Sequence, residues 1–284
     1  YGRILLGIVS GYLRRGEGLI MADEKITGVV ITLNEERNIG DCLRNLKQVC
    51  SELIVVDSRS SDLTVDIAEE EGATVMVQRY LGDGPQKNVA LPKAANRWIL
   101  SIDADERLSD EMVETIKGLR LSDTEHDSFS FPRRNFIGSR WIKRCGWYPD
   151  RCVRLFNNEK CRFRDVKQHS YVEGKNIGEL KGDILHYSFK NVGELFAKPD
   201  RNFSTRGAKI LYEQGKKTSA LGPFVHGSAA FLRQYILRLG FLEGVDGFSV
   251  SLSAGVNHYL KYAKLLEYYR DQKVLGSEDF NRVW

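Results

Sequence analysis

The chain has 284 residues, 42% of them apolar, enough for one large domain or a domain with a substantial annex. Its formal net charge of +4, from 42 Lys and Arg against 38 Asp and Glu, argues against a dedicated nucleic-acid binder. No run of about 18 consecutive apolar residues occurs, which argues against a bilayer-spanning helix.

Five cysteines (Cys42, Cys50, Cys145, Cys152 and Cys161) are an odd number without a CxxC pair, so free thiols in a reducing compartment are expected and no zinc site is indicated. Residues 1–20 precede the first methionine, Met21, and no small-residue cleavage site follows the short apolar run 4–9. Residues 1–24 are therefore expected to be an extension outside the fold, with 25–190 forming the catalytic domain and 191–284 a helical C-terminal region.

In chain order, the apolar run 26–33 reads as a strand buried on both faces. The polar loop 34–38 leads to a helix carrying Ile39, Leu43 and Leu46. A second buried strand covers 53–57. Ser60, Ser61 or Asp62 can cap a helix over about 63–71, which Gly72 ends. A third strand is expected at 74–77 and a third helix at 86–95, with Pro92 marking a kink or early stop. A fourth strand covers 98–103, and Ser109 caps a helix through about Leu119, with Asp110 and Glu111 in its positive first turn. This alternation implies an α/β fold with a mostly parallel, doubly wound, Rossmann-like sheet, whose ligands bind beyond the carboxyl ends of the strands.

After Asp127 the pattern changes. Strand-like pieces at 128–134, 152–156, 171–173 and 184–187 flank a segment rich in aromatic and basic side chains: Phe136, Trp141, Trp147 and Tyr148 among Arg133, Arg134, Arg140, Lys143, Arg144, Arg151 and Arg154. Such a segment is either a solvated surface or a face for a phosphorylated or membrane-bound substrate. From Val192 the chain reads as helical. Within 224–242, Phe224, Phe231, Tyr235, Leu239 and Leu242 fall on one helical face, which either packs on the domain or lies in a membrane interface.

The chemistry concentrates at strand ends. Ser101-Ile-Asp-Ala-Asp-Glu106 follows an apolar strand, and residues two apart on an extended segment point the same way, so Asp103 and Asp105 face one site. Paired carboxylates in an open loop suit Mg²⁺ or Mn²⁺, leaving positions for water and phosphate oxygens. Asp57 ends the second strand and either contacts a ribose or base edge or organises the turn 58–61.

Four segments carry a family resemblance: Val30-Ile-Thr-Leu-Asn-Glu-Glu-Arg-Asn-Ile39, Ile54-Val-Val-Asp-Ser-Arg-Ser-Ser-Asp62, Gln86-Lys-Asn88 and Ile99-Leu-Ser-Ile-Asp-Ala-Asp-Glu106. They resemble the family 2 glycosyltransferases, and more narrowly the branch acting on the inner core of lipopolysaccharide. The resemblance extends through Gly146-Trp-Tyr-Pro-Asp150, Arg154-Leu-Phe156, Gly182-Asp-Ile-Leu-His-Tyr-Ser188 and Gly240-Phe-Leu-Glu-Gly244. It implies a GT-A fold and inverting, metal-dependent transfer of a hexose from a UDP-sugar to a lipopolysaccharide-core or similar glycolipid. By residue, it implies that Thr32, Asn34 and Glu35 line the nucleotide pocket and that Asp57 contacts uracil or ribose. Lys87 approaches the nucleotide or diphosphate, Asp103 contacts ribose and metal, and Asp105 is the principal metal ligand.

The general base is where the sequence departs from the family. Relatives often carry His-Glu where this chain has Val166-Lys-Gln-His169, and the amide of Gln168 cannot take a proton. Asp165, His169 and Asp150 are the candidates. His186 either completes the metal shell or is a hydrogen-bonded structural residue. A catalytically impaired nucleotide-sugar-binding protein and a nucleotidyltransferase are the alternatives; the latter normally carries a glycine-rich loop after the first strand, and 34–38 has no glycine. A cytoplasmic enzyme at the inner face of a bacterial membrane is the expected setting.

Overall fold

A computed structural model describes residues 12–14, 19–21, 24–166, 170–199 and 203–283. Strands β1 (Tyr12–Arg14) and β2 (Leu19–Met21) pair antiparallel in a two-stranded sheet of their own. The chain divides into two compact units, residues 1–132 with 151–184 and residues 133–150 with 185–284.

In the first unit, the apolar runs become β3 (Ile26–Thr32), β4 (Glu52–Asp57), β5 (Thr74–Val77) and β6 (Trp98–Asp103). Between them lie α1 (Ile39–Leu46), α2 (Thr64–Glu70) and α3 (Asp83–Asn88). These strands are parallel in the order β5-β4-β3-β6. Alternate residues of each strand serve opposite cores. Val30, Val55, Leu100 and Ile102 meet Ile39, Leu43 and Leu46 of α1, while Val29, Ile54, Val56 and Ile99 pack with Ala90, Leu91, Phe156 and Phe163. Both faces of β3, β4 and β6 are covered, which is why these strands read as continuous apolar runs, while β5 at the edge is only partly buried.

The short strand β7 (Glu106–Leu108) follows, then α4 (Asp110–Lys117), capped by Ser109, whose hydroxyl oxygen accepts from the Met112 amide at 3.3 Å as expected. The later strands are β8 (Ser128–Ile137), β9 (Arg140–Trp141), β10 (Asp150–Asn157), β11 (Arg162–Phe163), β12 (Val172–Glu173), β13 (Ile177–Glu179) and β14 (Ile184–Phe189). β10 runs antiparallel to β6, which turns a parallel sheet into a mixed one. Helix α3 departs from expectation: it starts at Asp83 rather than Gln86 and ends at Asn88, and Pro92 sits in a separate 3-10 turn. The cause is tertiary. Asn88 donates to the Phe163 carbonyl at 2.8 Å and accepts from its amide at 3.0 Å.

In the second unit, α5 (Val192–Pro199) and α6 (Thr205–Glu213) precede α7 (Gly222–Leu232) and the long α8 (Gly244–Val283). The single helical face expected over 224–242 is not formed. α7 ends at Leu232, residues 233–237 form a π turn, and Leu239 adopts φ +55°, so the chain bends before α8. Phe224 packs on Tyr259 and Phe231 on Phe248, so α7 and α8 form an antiparallel hairpin with that bend at its end. A Cβ on Gly247 would come within 1.8 Å of the Gly240 carbonyl, a contact only glycine allows.

Two glycines separate backbone strain from steric overlap. Gly72 (φ +72°) stands in open space at the end of α2, whereas a Cβ on Gly182 (φ +86°) would lie 2.3 Å from the Met112 amide nitrogen. We expect Gly72→Ala to cost about 1 kcal/mol and Gly182→Ala at least about 3 kcal/mol, since the second adds overlap with α4 to the left-handed penalty. Urea denaturation of the two variants checks this; equal losses would contradict it.

Candidate active site

The parallel strands diverge around β3: β4 and β5 follow on one side and β6 on the other. Such a reversal opens a crevice at the carboxyl ends of the flanking strands. A cleft of 370 Å³ lies there, lined by Thr32 and Glu35 after β3, Ser58 after β4, Tyr80 and Asp83 after β5, and Asp103, Ala104 and Asp105 after β6. All four parallel strands thus contribute to one wall.

A chain of alternating charges reaches the cleft at Asp83 and Asp103. Lys87, 4% exposed on α3, places Nζ 3.1 Å from Asp83 Oδ1 and 2.9 Å from Asp103 Oδ1. Arg154, 5% exposed on β10, places Nη2 3.0 Å from Asp103 Oδ2 and 2.6 Å from Glu106 Oε1. Glu106 is fully buried, and its other oxygen accepts from the Asp103 amide at 3.1 Å. Burial by itself would raise the pKa of the Asp103 carboxyl, but Lys87 and Arg154 outweigh it and hold the group well below the usual carboxylate range. Burial likewise opposes the charged forms of Lys87 and Arg154, yet Asp103 with Asp83, and Glu106 with Asp103, push both pKa values up. The lowered carboxyl loses its contribution only as pH falls through its depressed folded pKa, and the raised cations lose theirs only as pH rises beyond the ordinary lysine range. Asp103, Lys87 and Arg154 therefore stay ionised together from roughly pH 4 to pH 10.

Asp105 does not sit on an extended segment. Ala104 and Asp105 form a two-residue turn between β6 and β7, and both Asp103 and Asp105 still line the cleft. Arg107 fixes that turn by donating to the Ala104 carbonyl at 2.8 Å and the Asn38 carbonyl at 2.7 Å. Under the turn, burial pushes the Cys42 thiol up to about 12, so it is inert as a nucleophile. All five cysteines are free.

The loops after β3 and β4 are tied to each other. Asp57, fully buried, accepts from Thr32 Oγ1 at 3.0 Å, from Ser60 Oγ at 2.5 Å and from the Ser60 amide at 2.8 Å. This is the turn-organising geometry, and the cleft wall here is Ser58. Asn34, at φ +56°, donates its amide to Ser60 Oγ at 2.8 Å and accepts from the Ser61 amide at 2.8 Å. The Glu35 amide donates to Thr64 Oγ1 at 2.8 Å, and the Glu35 side chain, on the cleft wall, accepts from Asn38 Nδ2 at 2.6 Å.

The remaining candidates separate. Asp165 is exposed and lines an adjoining 600 Å³ cleft with Pro85, Asn88 and Phe163. Gln168 and His169 lie outside the described residues. Their flanks are anchored to the first turn of α3: the Gly84 amide donates to the Val166 carbonyl at 3.2 Å, and the Ser170 amide to Asp83 Oδ2 at 2.8 Å. Asp150 and His186 belong to the second unit. Asp150 pairs with Arg133 (2.5 Å), and His186 Nδ1 is 2.7 Å from Asn135 Oδ1 and 2.9 Å from Ser188 Oγ. Among the described residues, no three His, Cys, Asp or Glu side chains gather into a metal cage.

Arg154, Glu106 and Asp83 were not singled out as site residues by the sequence, and Arg154 was grouped with the surface basic stretch. Its burial corrects that grouping. The signal was present: a charge inside the apolar run Val153-Arg-Leu-Phe156 must find a partner when the strand is buried.

Comparison with known proteins identifies the family. The sequence model of glycosyl transferase family 2 matches residues 27–167. An uncharacterized glycosyltransferase of Rickettsia typhi is 32% identical over 270 residues, covering 90% of this chain and 92% of its own. The lipopolysaccharide core biosynthesis glycosyltransferase LpsC of Rhizobium meliloti is 27% identical over 256 residues, covering 85% and 92%. The structure of S. aureus TarS 1–349 in complex with UDP aligns with 16% identity and a TM-score of 0.46, covering 87% and 91%. With a doubly wound half continued by a mixed sheet and a helical C-terminal region, this chain belongs to glycosyl transferase family 2 and is a glycosyltransferase of the GT-A fold.

Proposed function

We propose that the enzyme transfers a hexose, with inversion, from a UDP-sugar to a lipopolysaccharide-core or similar glycolipid acceptor. The observation that carries the reading is Asp103, clamped between Lys87 and Arg154 on the wall of a cleft built from four strand ends. The likeness to LpsC over most of both chains supports the acceptor class, and the tied loops after β3 and β4 supply a preformed nucleotide pocket. The carboxylates on the β6–β7 turn are hard oxygen donors in an open cleft, a set that fits Mg²⁺ or Mn²⁺. Asp105, with Asp103, would hold the ion, which when bound supplies positive charge against the leaving diphosphate.

In this reading Lys87 does not need to touch the donor. With Arg154 it fixes the Asp103 carboxylate in one orientation, so that Asp103 meets the ribose without reorganising. The acceptor hydroxyl loses its proton to the base as its oxygen attacks the anomeric carbon. The bond from that carbon to the diphosphate oxygen breaks, and its electron pair leaves with UDP. His169 is our choice of base. Asp150 is paired with Arg133 and Asp165 faces the adjoining cleft, whereas Val166 and Ser170, the described residues on either side of 167–169, are both bonded to the first turn of α3.

Asp105→Ala is expected to lower kcat/KM at least about a hundredfold and to weaken Mn²⁺-dependent UDP binding while leaving the melting temperature in place. Asp103→Asn should instead also cost about 3–5 kcal/mol of stability, because it leaves two buried cations short of a partner. Calorimetry and thermal denaturation of both variants separate the roles; unchanged Mn²⁺-dependent UDP affinity in Asp105→Ala would overturn the metal assignment.

His169→Ala should reduce kcat by about 10²–10⁴-fold, with UDP affinity preserved. Retained kcat in that variant, together with its loss in Asp165→Asn, would move the base to Asp165.

In competition, UDP should bind more tightly than GDP or CMP. Tighter binding of either competitor would refute the donor class. Turnover with a panel of labelled UDP-sugars then distinguishes an active transferase from a protein that only binds nucleotide sugars.

A further inference from the structure

The second unit carries a surface that sugar transfer leaves unexplained. At the bend joining α7 to α8, Ile236, Leu237, Leu239, Phe241, Leu242 and Val245 are all exposed, Leu237 by 77% and Val245 by 80%. Isolated exposed apolar residues are ordinary, but six within ten positions at a hairpin end form a patch that needs an occupant. The 140–146 segment lies against this bend. The Cys145 amide donates to the Arg238 carbonyl at 3.0 Å, Cys145 Sγ to the Gly247 carbonyl at 3.7 Å, and Arg140 Nη2 is 2.6 Å from Asp246 Oδ1. Exposed Arg140, Lys143, Arg144, Arg233 and Arg238 therefore accompany the apolar tip, and the half-buried Trp141 ring carries the Arg134 guanidinium at 4.4 Å and the Lys143 ammonium at 5.0 Å. Two segments that the sequence kept as separate candidates form one surface.

The charge distribution names the occupant. Residues 133–150 and 185–284 hold 19 Lys and Arg against 10 Asp and Glu, a net +9, while the rest of the chain holds 23 against 28, a net −5. A near-neutral protein has thus placed its positive charge in the unit that bears the apolar tip. Apolar side chains beside exposed cations and interfacial tryptophan complement a layer whose headgroups are anionic and whose interior is hydrocarbon. We propose that the α7–α8 bend inserts its apolar tip into the interface of an anionic bilayer, with Lys143, Arg144, Arg233 and Arg238 against the headgroups. This deepens the glycolipid-acceptor reading, since it brings the enzyme to the surface that holds such an acceptor, but it does not depend on the donor or the base.

The test is co-sedimentation of the full chain with vesicles of equal parts phosphatidylglycerol and phosphatidylcholine, and with vesicles of phosphatidylcholine alone, at low and high salt. The wild type should bind the anionic vesicles at least tenfold more tightly, and salt should weaken that binding. Leu237→Asp with Val245→Asp should abolish binding, and Lys143→Glu with Arg144→Glu should weaken it by roughly tenfold or more, at about 1 kcal/mol per basic residue near the surface. UDP affinity, measured without vesicles, should be unchanged in both variants, which shows that they fold and keeps failure here distinct from failure of the donor assignment. The proposal is overturned if the wild type ignores anionic vesicles at low salt, or if the Asp double variant binds like the wild type. It is also overturned if sedimentation equilibrium without lipid shows a dimer that the Asp double variant dissolves, which would give the face to a second copy.

Discussion

Asp103 stands where a strand, a turn and a helix have to agree. Its carboxylate takes Lys87 on one oxygen and Arg154 on the other, and each cation turns to a further carboxylate, Asp83 and Glu106. Breaking any link exposes a buried charge, a larger loss than an exposed ion pair ever contributes. The constraint propagates: α3 must present Lys87 beneath β6, β10 must run antiparallel beside β6 to deliver Arg154, and β7 must bury Glu106. The antiparallel continuation of a parallel sheet is thus inseparable from how the strand-end aspartate is held.

The other side of the cleft is fixed by hydrogen bonds instead of charge. Asp57 gathers Thr32 and Ser60, and Asn34 reaches across to Ser60 and Ser61, so the loops after β3 and β4 hold one another. Asn34 takes a left-handed backbone to do this, a conformation its short polar side chain tolerates better than most. A pocket whose walls are held before ligand arrives loses less entropy on binding. Asp105 lies on the two-residue turn between these rigid parts, on the cleft wall with Glu35, Asp83 and Asp103.

The two units differ in character. The first spends its apolar side chains on two cores either side of a sheet and its charges on an internal network. The second packs smaller cores, around Ile137, Ile142 and Leu195 and around Ala208 and Tyr268, and keeps many large apolar side chains at its surface. Among the described residues no helix is long and apolar enough to cross a membrane. What the second unit offers is a bend with exposed cations beside it.

The sequence by itself determined the doubly wound half, because strands covered on both faces must be apolar throughout, and three such runs with a shorter fourth, separated by helical patterns, admit few other packings. It also determined that chemistry would gather after β3, β4 and β6, since a polar residue ending a buried strand has either a partner or a ligand. Only the tertiary structure decided which. Asp57 and Asn34 spend their oxygens on neighbouring loops, Asp103 is clamped from below, and Asp105 leaves the strand for a turn, outcomes set by contacts between residues 25 to 50 or more positions apart. The short α3 was illegible for the same reason: Asn88 is claimed by Phe163, 75 residues away, and local propensity carries no trace of that bond. The helical face expected over 224–242 failed because periodicity assumes a continuous helix, whereas Gly240 and Gly247 let two backbones touch and turn the chain at Leu239. Periodicity reports the face a segment would bury if it stayed regular; where it bends is fixed by what packs against it.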